Sequence, residues 1–407
     1  MNGKMKPILP PLTLFGLATI LAASPADRPN ILLLFADDLG FEALGCYGGL
    51  DFETPNLDKL AAGGMRFSRV YTSPVCTPSR MSLYTGTYVT RHGYDYVLPV
   101  HQGTKKAVDF RNRHKTFAQL LRKSGYLTSV TGKWQLATLE FHPDHIRDAG
   151  FDSWCVWQIW MEGKKTTRYW NPCLNHDGKV REDIAKRFGP DVLHEYVKGQ
   201  MKAAKEAGKP FYIHHNMMLP HIPVVNAPGS EGKTLKAMVS YMDRLCGELV
   251  DEVDNLGIAE NTWVIFMGDN GTDLGTPRRT KNGLVTGGKR FLGEGGMHIP
   301  MIVRKPDTIE PGTVAEDLVD IADWFPTICD LTGTPIPENT PLDGISLAKR
   351  LTCGKPHTRE YVTAGIGGNA CVSDGTFFVT NKTPEETDNP ATAKLLDILK
   401  SLPKNQK

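Results

Sequence analysis

Two short, uninterrupted apolar runs constrain most strongly what this chain can fold into. They occupy residues 31–35 and 262–267, and polar residues follow each of them closely. Apolar runs of this length without alternation are typical of strands that are buried on both faces of a sheet. Amphipathic segments at 116–124, 192–207 and 233–256 predict helices that cover such a sheet.

The alternation of strands and helices extends over most of the chain and predicts its fold class. Further strands are expected at residues 127–131 and 211–215, and a further helix is expected at 318–331. This order predicts an α/β fold with a doubly wound, mixed or mostly parallel sheet. We assign that domain to residues 27–352. Beyond residue 352 the alternation of strands and helices becomes weaker, and residues 353–407 are expected to form a small α+β subdomain.

Residues 1–26 have the composition of a signal peptide. Lys4 and Lys6 form a basic start, residues 12–23 are mostly apolar, and small residues precede a cleavage site before Asp27. The apolar stretch is shorter than the roughly 20 residues that a membrane-spanning helix needs. We therefore expect an exported protein, periplasmic or extracellular, without a stable membrane span; the alternative is an uncleaved anchor.

The net charge argues against one class of partner. Lys and Arg number 47 and Asp and Glu number 45, and two of the lysines lie in the predicted signal peptide, which leaves the mature chain neutral. Proteins that bind nucleic acids usually carry a basic excess or a basic stripe. A nucleic acid partner is therefore not expected.

The polar residues that follow the two apolar runs form a candidate metal site. Asp37 and Asp38 follow the first run, and Asp269 and Asn270 follow the second. The carboxyl ends of parallel strands meet at one edge of a sheet, so we expect these residues to lie close together. Neighbouring buried carboxylates repel each other unless a cation compensates. The oxygen ligands suit Ca²⁺, or else Mg²⁺; the alternative is that the acids only cap a turn.

A cysteine lies at the predicted start of a helix in the segment 74–80, PVCTPSR. Pro78 suits the first turn of a helix, which places Cys76 at the helix N-terminus. Free N–H groups and the helix dipole favour an anion there. Arg80 lies within the first turns and can reach the same anion. Taken alone, the segment is also compatible with a structural cysteine before a helix.

The chain resembles the type I, formylglycine-dependent sulfatases of the alkaline phosphatase superfamily. The resemblance rests on a series of stretches in the family's order, which together are far more specific than any one of them. They are 28–40 (RPNILLLFADDLG), 54–61 (TPNLDKLA), 76–80 (CTPSR), 84–86 (YTG), 132–134 (GKW), 220–223 (PHIP), 268–271 (GDNG), 288–289 (GK), 294–296 (EGG) and 343–344 (DG).

The resemblance implies a specific chemistry. A dedicated maturation enzyme would oxidise Cys76 to Cα-formylglycine, whose hydrate attacks the sulfur of a sulfate ester and later releases sulfate as the aldehyde re-forms. The substrate class would be a sulfated small molecule or polysaccharide. The implied roles are Ca²⁺ binding by Asp37, Asp38, Asp269 and Asn270, stabilisation of the hydrate by Arg80, sulfate binding by Lys133 and Lys289, and proton donation or charge stabilisation at the leaving oxygen by His221.

Two positions depart from the family pattern. Gln135 stands where the family usually has a histidine, and His298 stands where it often has an arginine. We expect both to contact substrate. Glutamine cannot take a proton, so the release step needs another base, for which His92, His214 and His215 are candidates.

The substrate and the alternatives to a sulfatase stay open at the level of sequence. The aromatic stretch 154–170 fits either a platform for sugar rings or a packed subdomain, and the basic stretch 278–290 fits either a polyanion site or a solvated loop. We expect a secreted sulfatase of sulfated carbohydrate. The alternatives are a phosphodiesterase or phosphonate hydrolase of the same superfamily, and a catalytically weak protein that binds sulfated glycans.

Overall fold

Strands and helices alternate along the residues that the computed structural model describes, which are 28–98, 106–273, 275, 277–384 and 387–404. The predicted signal peptide, residues 1–26, lies outside them. The strands are β1 Asn30–Ala36, β2 Met65–Tyr71, β3 Leu127–Gly132, β4 Ser153–Trp157, β5 Trp160–Met161, β6 Lys164–Lys165, β7 Leu174–His176, β8 Lys179–Val180, β9 Phe211–Asn216, β10 Thr262–Gly268, β11 Arg278–Thr280, β12 Gly283–Val285, β13 His298–Arg304, β14 Thr313–Asp320, β15 Val362–Ile366, β16 Asn369–Ser373 and β17 Phe378–Thr380.

Along the chain, most helices of the described residues follow one strand of the main sheet and precede the next. They are α1 Pro55–Ala62, α2 Cys76–Thr85, α3 Val89–His92, α4 Phe117–Lys123, α5 His145–Asp148, α6 Gly189–Glu206, α7 Leu235–Asn255, α8 Glu294–Met297, α9 Trp324–Thr332, α10 Ala348–Cys353 and α11 Pro390–Ser401. Among the described residues, none of these helices combines the length and the apolar character needed to cross a membrane.

Within the described chain, ten of the strands form one mixed sheet in the order β14-β2-β13-β10-β1-β9-β3-β4-β7-β8. β1 lies near the centre and pairs in parallel with β9 and β10, and β3 and β4 continue the parallel arrangement. β13 runs antiparallel between β10 and β2, and β7 runs antiparallel to β4. The predicted α/β fold with a mixed, mostly parallel sheet is confirmed.

The continuous apolar character of β1 follows from its place between two layers of helices. Ile31, Leu33 and Phe35 pack into one core with residues of α2, α4 and α9. Leu32 and Leu34 pack into the other core with residues of α1, α6 and α7. A strand that is covered on both faces has no solvent side, so polar residues appear only where it ends.

The predicted helix at 318–331 is wrong at its start. Residues 318–320 are the end of β14 and pair in parallel with β2. A 3₁₀ turn, Ile321–Asp323, follows, and the Asp320 carboxylate accepts a hydrogen bond from the N–H of Ala322 at 3.0 Å. α9 then begins at Trp324. Because the apolar residues of strand, turn and helix follow one another without a break, their pattern resembles a single helix.

A second, smaller sheet lies in the C-terminal part of the chain. β15, β16 and β17 form an antiparallel sheet, and α11 packs against β16 and β17 through Leu395 and Leu396. α10 ends at Cys353, so the predicted domain boundary between residues 352 and 353 falls in the last turn of that helix. The subdomain boundary stays a prediction.

Candidate active site

Four neighbouring strands of the main sheet end at one edge, and each brings a polar side chain to the same place. Asp37 follows β1, Asp269 follows β10, Lys133 follows β3, and Asn216 is the last residue of β9. All four side chains are buried. Ligands of doubly wound sheets bind at this edge. The sheet therefore brings together the two polar clusters that the sequence predicts.

Cys76 lies at the N-terminus of α2, as predicted, and faces this cluster. Its Sγ is 3.1 Å from Nζ of Lys133 and 3.6 Å from Oδ1 of Asp37. The side chain is 1% exposed. Burial, and next the negative charge of Asp269, raise the pKa of the Cys76 thiol. The unmodified residue is thus a protonated thiol, which is a weak nucleophile.

Asp37 is surrounded by cations. Nζ of Lys133 lies 2.6 and 2.8 Å from its two carboxylate oxygens. One guanidinium nitrogen each of Arg80 and Arg168 lies 3.8 Å from the carboxylate. Burial alone would raise the pKa of Asp37, but the positive charges of Lys133, Arg80 and Arg168 outweigh burial and hold that pKa well below its usual range. Asp37 is therefore ionised.

Arg80 connects the second carboxylate to the sheet. Its Nη2 donates to Oδ2 of Asp269 at 2.8 Å, and its Nη1 donates to the carbonyl oxygen of Lys133 at 3.1 Å and to Oδ1 of Asn216. Burial, and next the charge of Asp37, raise the pKa of Asp269 to about 6. The predicted reach of Arg80 from α2 to the anion site is thus present, and Asn216 is an additional partner.

The third carboxylate, Asp38, is held by an amide and an ammonium group. Nδ2 of Asn270 donates to Oδ1 of Asp38 at 2.9 Å, and Nζ of Lys289 donates to Oδ2. Oδ1 of Asn270 is buried and has no hydrogen-bond partner among the described residues. An unpaired buried carbonyl oxygen beside three carboxylates is a donor set that a hard cation satisfies.

His221 lies between Lys289 and Arg168. Its Nε2 is 3.2 Å from Nζ of Lys289 and 3.4 Å from Oδ2 of Asp38. Nη2 of Arg168 lies 2.8 Å from Nδ1 of His221 and donates to the carbonyl oxygen of Ile222, which is itself 2.7 Å from Nδ1. Each ring nitrogen of His221 therefore faces one donor and one acceptor. Burial lowers the pKa of His221 to about 4, so the ring is neutral at neutral pH.

A cleft of about 250 Å³ opens above these residues. Its lining includes Cys76, Lys133, Gln135, His221 and Lys289. Gln135 has a left-handed backbone (φ 54°), and its Oε1 is buried without a hydrogen-bond partner within the described residues. The sequence-predicted residues of the sulfate site therefore share one cavity.

His298 lies outside this cleft. Its ring stacks between Phe41 and Tyr71, with centroid distances of 4.0 and 4.8 Å. Nδ1 contacts a carboxylate oxygen of Glu294 at 2.6 Å, and Nε2 contacts the carbonyl oxygen of Ser68 at 2.9 Å. Both nitrogens are thus engaged inside the protein, and the expectation that His298 contacts substrate is corrected.

The three histidines considered as alternative bases also lie outside the cleft lining. Nδ1 of His214 is 2.8 Å from the hydroxyl of Tyr84, and Nε2 of His92 is 3.2 Å from Oγ of Ser82. Burial lowers the pKa of His92 and that of His215 to about 3. All three are buried in the protein core, where they have no access to a substrate proton.

Two residues of the site escaped the sequence analysis. Arg168 lies in the aromatic stretch, and its guanidinium carbon is 4.8 Å from the ring centroid of Trp157. Nothing in the local sequence distinguishes it from a surface arginine. Asn216 directly follows the predicted strand 211–215, so the rule that sites form at the carboxyl ends of strands could have identified it.

Comparisons with known proteins agree with this geometry. The family model described as Sulfatase matches residues 29–334. N-acetylgalactosamine-6-sulfatase of Rattus norvegicus is 31% identical over 376 residues, which cover 85% of this chain and 70% of that protein. Arylsulfatase A of Bos taurus is 33% identical over 377 residues, which cover 84% of this chain and 70% of that protein.

A solved structure is similar over almost the whole fold. The crystal structure of Ps i-CgsB has a TM-score of 0.78 and 26% sequence identity to this chain, and the match covers 92% of this chain and 91% of that one. The match to the family model extends over most of the chain and contains Cys76, both acidic clusters and both lysines of the site. The chain therefore belongs to the sulfatase family of the alkaline phosphatase superfamily and is a sulfuric ester hydrolase.

Proposed function

We propose that the protein is an exported sulfatase that removes sulfate from carbohydrates and uses a formylglycine formed from Cys76 together with a bound Ca²⁺ ion. The observation that carries this proposal is the position of Cys76. It lies at a helix N-terminus, 1% exposed, with its Sγ 3.1 Å from Lys133 and 3.6 Å from Asp37.

A formylglycine hydrate would supply what the buried thiol cannot: a hydroxyl nucleophile, and a second hydroxyl whose deprotonation releases sulfate. The residues around position 76 fit that group. Lys133 can donate a hydrogen bond to an oxygen there, and Asp37 can accept one. The low solvent exposure of the position keeps bulk water away from the reacting atoms.

The donor set fits a Ca²⁺ ion. Asp37, Asp38, Asp269 and Asn270 would hold it, and the unpaired Oδ1 of Asn270 is the observation that favours a cation over a simple turn cap. A bound ion would lower the pKa of a neighbouring hydroxyl and neutralise charge on a sulfate oxygen.

The charges of the site favour a sulfate monoester anion. Among the described residues, four permanent cations of the site face three carboxylates, so one positive charge remains before any ion binds. The cations are Arg80, Lys133, Arg168 and Lys289, and the carboxylates are those of Asp37, Asp38 and Asp269. Preorganised cations stabilise the charge that grows on sulfate oxygens in the transition state.

His221 would stabilise the leaving oxygen as a neutral hydrogen-bond donor. Nε2, the ring nitrogen beside Lys289, would carry the ring proton in that role. A neutral imidazole donates a hydrogen bond without giving up its proton. Of the two roles implied by the resemblance, charge stabilisation is the one that this arrangement supports.

Sulfated carbohydrate is the proposed substrate class. The rat relative is, by its name, a sulfatase of N-acetylgalactosamine 6-sulfate. Trp157 and Trp160 line the cleft above Cys76, where their rings can pack against a sugar. Export is proposed from residues 1–26, and N-terminal sequencing of protein from the extracellular or periplasmic fraction should begin at Asp27.

The central experiment is the mass of the peptide that contains residue 76, from protein made in a host that matures a control sulfatase. We expect an aldehyde at Cys76 and hydrolysis of 4-nitrophenyl sulfate. Cys76→Ala should reduce kcat by at least about 10³-fold, while Cys353→Ala, at an exposed thiol, should retain activity. Full activity with an intact thiol at Cys76, or in Cys76→Ala, would contradict the proposal.

A further inference from the structure

The cleft carries more positive charge than the reaction at the sulfur requires. Among its described lining residues, five carry a permanent positive charge and none is acidic. The five are Lys133, Lys165, Arg168, Lys289 and Arg290. A cavity with charge of one sign raises the local concentration of ligands of the opposite sign.

Three of these five cations are matched by carboxylates beneath the cleft. Lys133 contacts Asp37, Lys289 contacts Asp38, and Arg168 lies 3.8 Å from Asp37. The side chains of Lys165 and Arg290 form no ion pair with any part of the chain that the structure describes. These two charges are therefore available to a ligand.

Lys165 is held near other cations. It lies on β6, and its Nζ is 5.9 Å from the ring centroid of Trp157, the ring that Arg168 also contacts. Burial, and next the charges of Arg168 and Lys133, lower the pKa of Lys165. Like charges placed together raise the free energy of the unliganded protein, and a bound anion removes that repulsion.

Arg290 reaches the cleft from a different segment. Its backbone N–H donates to the carbonyl oxygen of Pro74 at 2.8 Å, which fixes it beside the loop that leads into α2. Its φ of 77° is unusual for a residue other than glycine and costs about 1 kcal/mol or more. The side chain is exposed and forms no ion pair with a described carboxylate.

Two polar atoms in the same cleft also lack partners. Oε1 of Gln135 and Nε1 of Trp160 are both buried without a hydrogen bond to any described residue. Unpaired buried polar atoms are costly, and a polar ligand satisfies them. One acceptor and one donor beside two tryptophans suit the hydroxyl and amide groups of a sugar.

We propose that the substrate carries a second anionic group, a sulfate or a carboxylate, besides the sulfate that is cleaved, and that Lys165 and Arg290 bind this group. The inference rests on the proposed function and narrows it to sulfated sugars that are at least dianionic. Within the basic stretch 278–290, the inference assigns anion binding to Arg290. Arg279 is already paired with Asp51, and Arg278 stacks on Phe52.

The test compares 6-sulfated substrates with and without a second anion. The probes are the methyl glycoside of N-acetylgalactosamine 6-sulfate, its 4,6-disulfate, and a disaccharide in which a uronic acid is linked to the 6-sulfated sugar. The disulfate and the uronate arms distinguish a sulfate from a carboxylate as the second group. We expect at least one dianionic probe to have a kcat/KM about tenfold above that of the monosulfate.

Variants of Lys165 and Arg290 test whether these two residues cause the preference for a dianionic probe. Lys165→Gln and Arg290→Gln should each reduce the kcat/KM ratio of the preferred dianionic probe to the monosulfate by about fivefold or more. Lys164→Gln is the matched control, because Lys164 is, like Lys165, an exposed lysine of β6 but points to the opposite face of the strand. It should leave the ratio unchanged.

Two outcomes would overturn the inference: a wild-type protein without preference for either dianionic probe, or a preference that neither variant reduces. If a probe is not hydrolysed, its inhibition constant against 4-nitrophenyl sulfate replaces kcat/KM in the same ratio. Absence of sulfate release from 4-nitrophenyl sulfate and from all three sugar probes, in protein with an aldehyde at position 76, would instead contradict the proposed function, so the two failures are distinguishable.

Discussion

Gly132 shows how a single residue controls the position of a catalytic group. It ends β3 with φ 90°, and the N–H of the next residue, Lys133, donates to the carbonyl oxygen of Asn216 at 2.9 Å. A Cβ atom at Gly132 would lie 1.7 Å from that same oxygen. Only glycine lets β3 and β9 approach closely enough to place the lysine beside Cys76 and Asp37.

We therefore predict that Gly132→Ala displaces Lys133 and lowers kcat/KM by at least about 100-fold, with a loss of several kcal/mol in the free energy of unfolding. Gly178→Ala is the matched control: its φ is also 90°, but nothing lies within 4 Å of the added Cβ. It should cost only about 1–2 kcal/mol of backbone strain and leave kcat/KM unchanged. Enzyme kinetics and urea unfolding measure both effects, and equal losses in the two variants would contradict this account.

Removal of the metal ion tests the proposed Ca²⁺ site. Treatment with a strong chelator should abolish activity and lower the thermal midpoint, because the folded protein loses a ligand that the unfolded chain does not bind and Oδ1 of Asn270 is left buried without a partner. Added Ca²⁺ should restore both activity and the thermal midpoint. At 100 times its Kd, the ion should raise the free energy of unfolding by about 2.7 kcal/mol. Calorimetry with Ca²⁺ and with Mg²⁺ identifies the preferred ion. Full activity in the chelated protein would exclude the site.

At the scale of elements, one buried ion pair fixes the C-terminal segment to the main domain. Nε of Arg359 donates to Oδ2 of Asp323 at 2.7 Å, its Nη2 donates to Oδ1, and its Nη1 donates to the hydroxyl of Tyr88 at 2.8 Å. Asp323 also accepts from the N–H of Ile345 at 2.7 Å. The pair thus joins the turn before α9 to the segment that leads into β15.

We predict that Arg359→Met lowers the free energy of unfolding by about 3–5 kcal/mol, since it leaves a buried carboxylate without its cation. Lys394→Met removes a solvent-exposed pair with Glu360 and should cost less than about 1 kcal/mol. Urea unfolding of both variants measures the difference. A cost for Arg359→Met no larger than that of the control would show that the buried pair contributes nothing to stability.

The elements also show what the sequence can predict. The strands at 31–35, 127–131, 211–215 and 262–267 are confirmed within one residue. The first and last of them stand out because central strands buried on both faces are almost continuously apolar. β2 was missed, since Arg66 and other polar residues interrupt its apolar positions. Their side chains lie at the less buried side of the strand, so the pattern does not stand out from that of a loop.

The residues of the candidate site also differ in whether the sequence could predict them. Residues in contiguous motifs, such as Cys76 and Lys133, could be placed from the sequence. Lys165 and Arg168 could not, because they enter the cleft through the fold of the stretch 157–168 rather than through a motif. His298 was misplaced because its position in the chain, close to the Glu-Gly-Gly motif, does not indicate that its ring is enclosed by Phe41 and Tyr71.

At the scale of the whole molecule, buried neutral histidines link stability to pH. In His145, Nδ1 accepts from Nε1 of Trp134 at 2.9 Å and Nε2 is 2.8 Å from the carbonyl oxygen of Val108. Because tryptophan can only donate, a proton on Nδ1 would break this arrangement. Burial accordingly lowers the pKa of His145 to about 4.

Between pH 6.5 and 4 the unfolded chain binds a proton at His145 that the folded protein does not bind, so stability falls as the pH falls through this window. We predict that this residue alone costs about 2 kcal/mol between pH 7 and pH 5. The free energy of unfolding of His145→Gln should decrease less over that interval than that of the wild type. His176→Gln, at a half-buried histidine of β7, is the control. Identical pH profiles for wild type and His145→Gln would contradict the prediction.

The place of β1 in the sheet has a consequence for the order of events during synthesis. β1 ends at residue 36, but its neighbours β9 and β10 end only at residues 216 and 268. At about 5–20 residues per second, a ribosome needs about 10–40 s to proceed from Cys76 to the end of β10. Until then β9 and β10, the two strands that flank β1 at the active-site edge, are not both complete. Any enzyme that oxidises Cys76 therefore has a limited time in which to act, which ends when the sheet closes over a side chain that is afterwards 1% exposed.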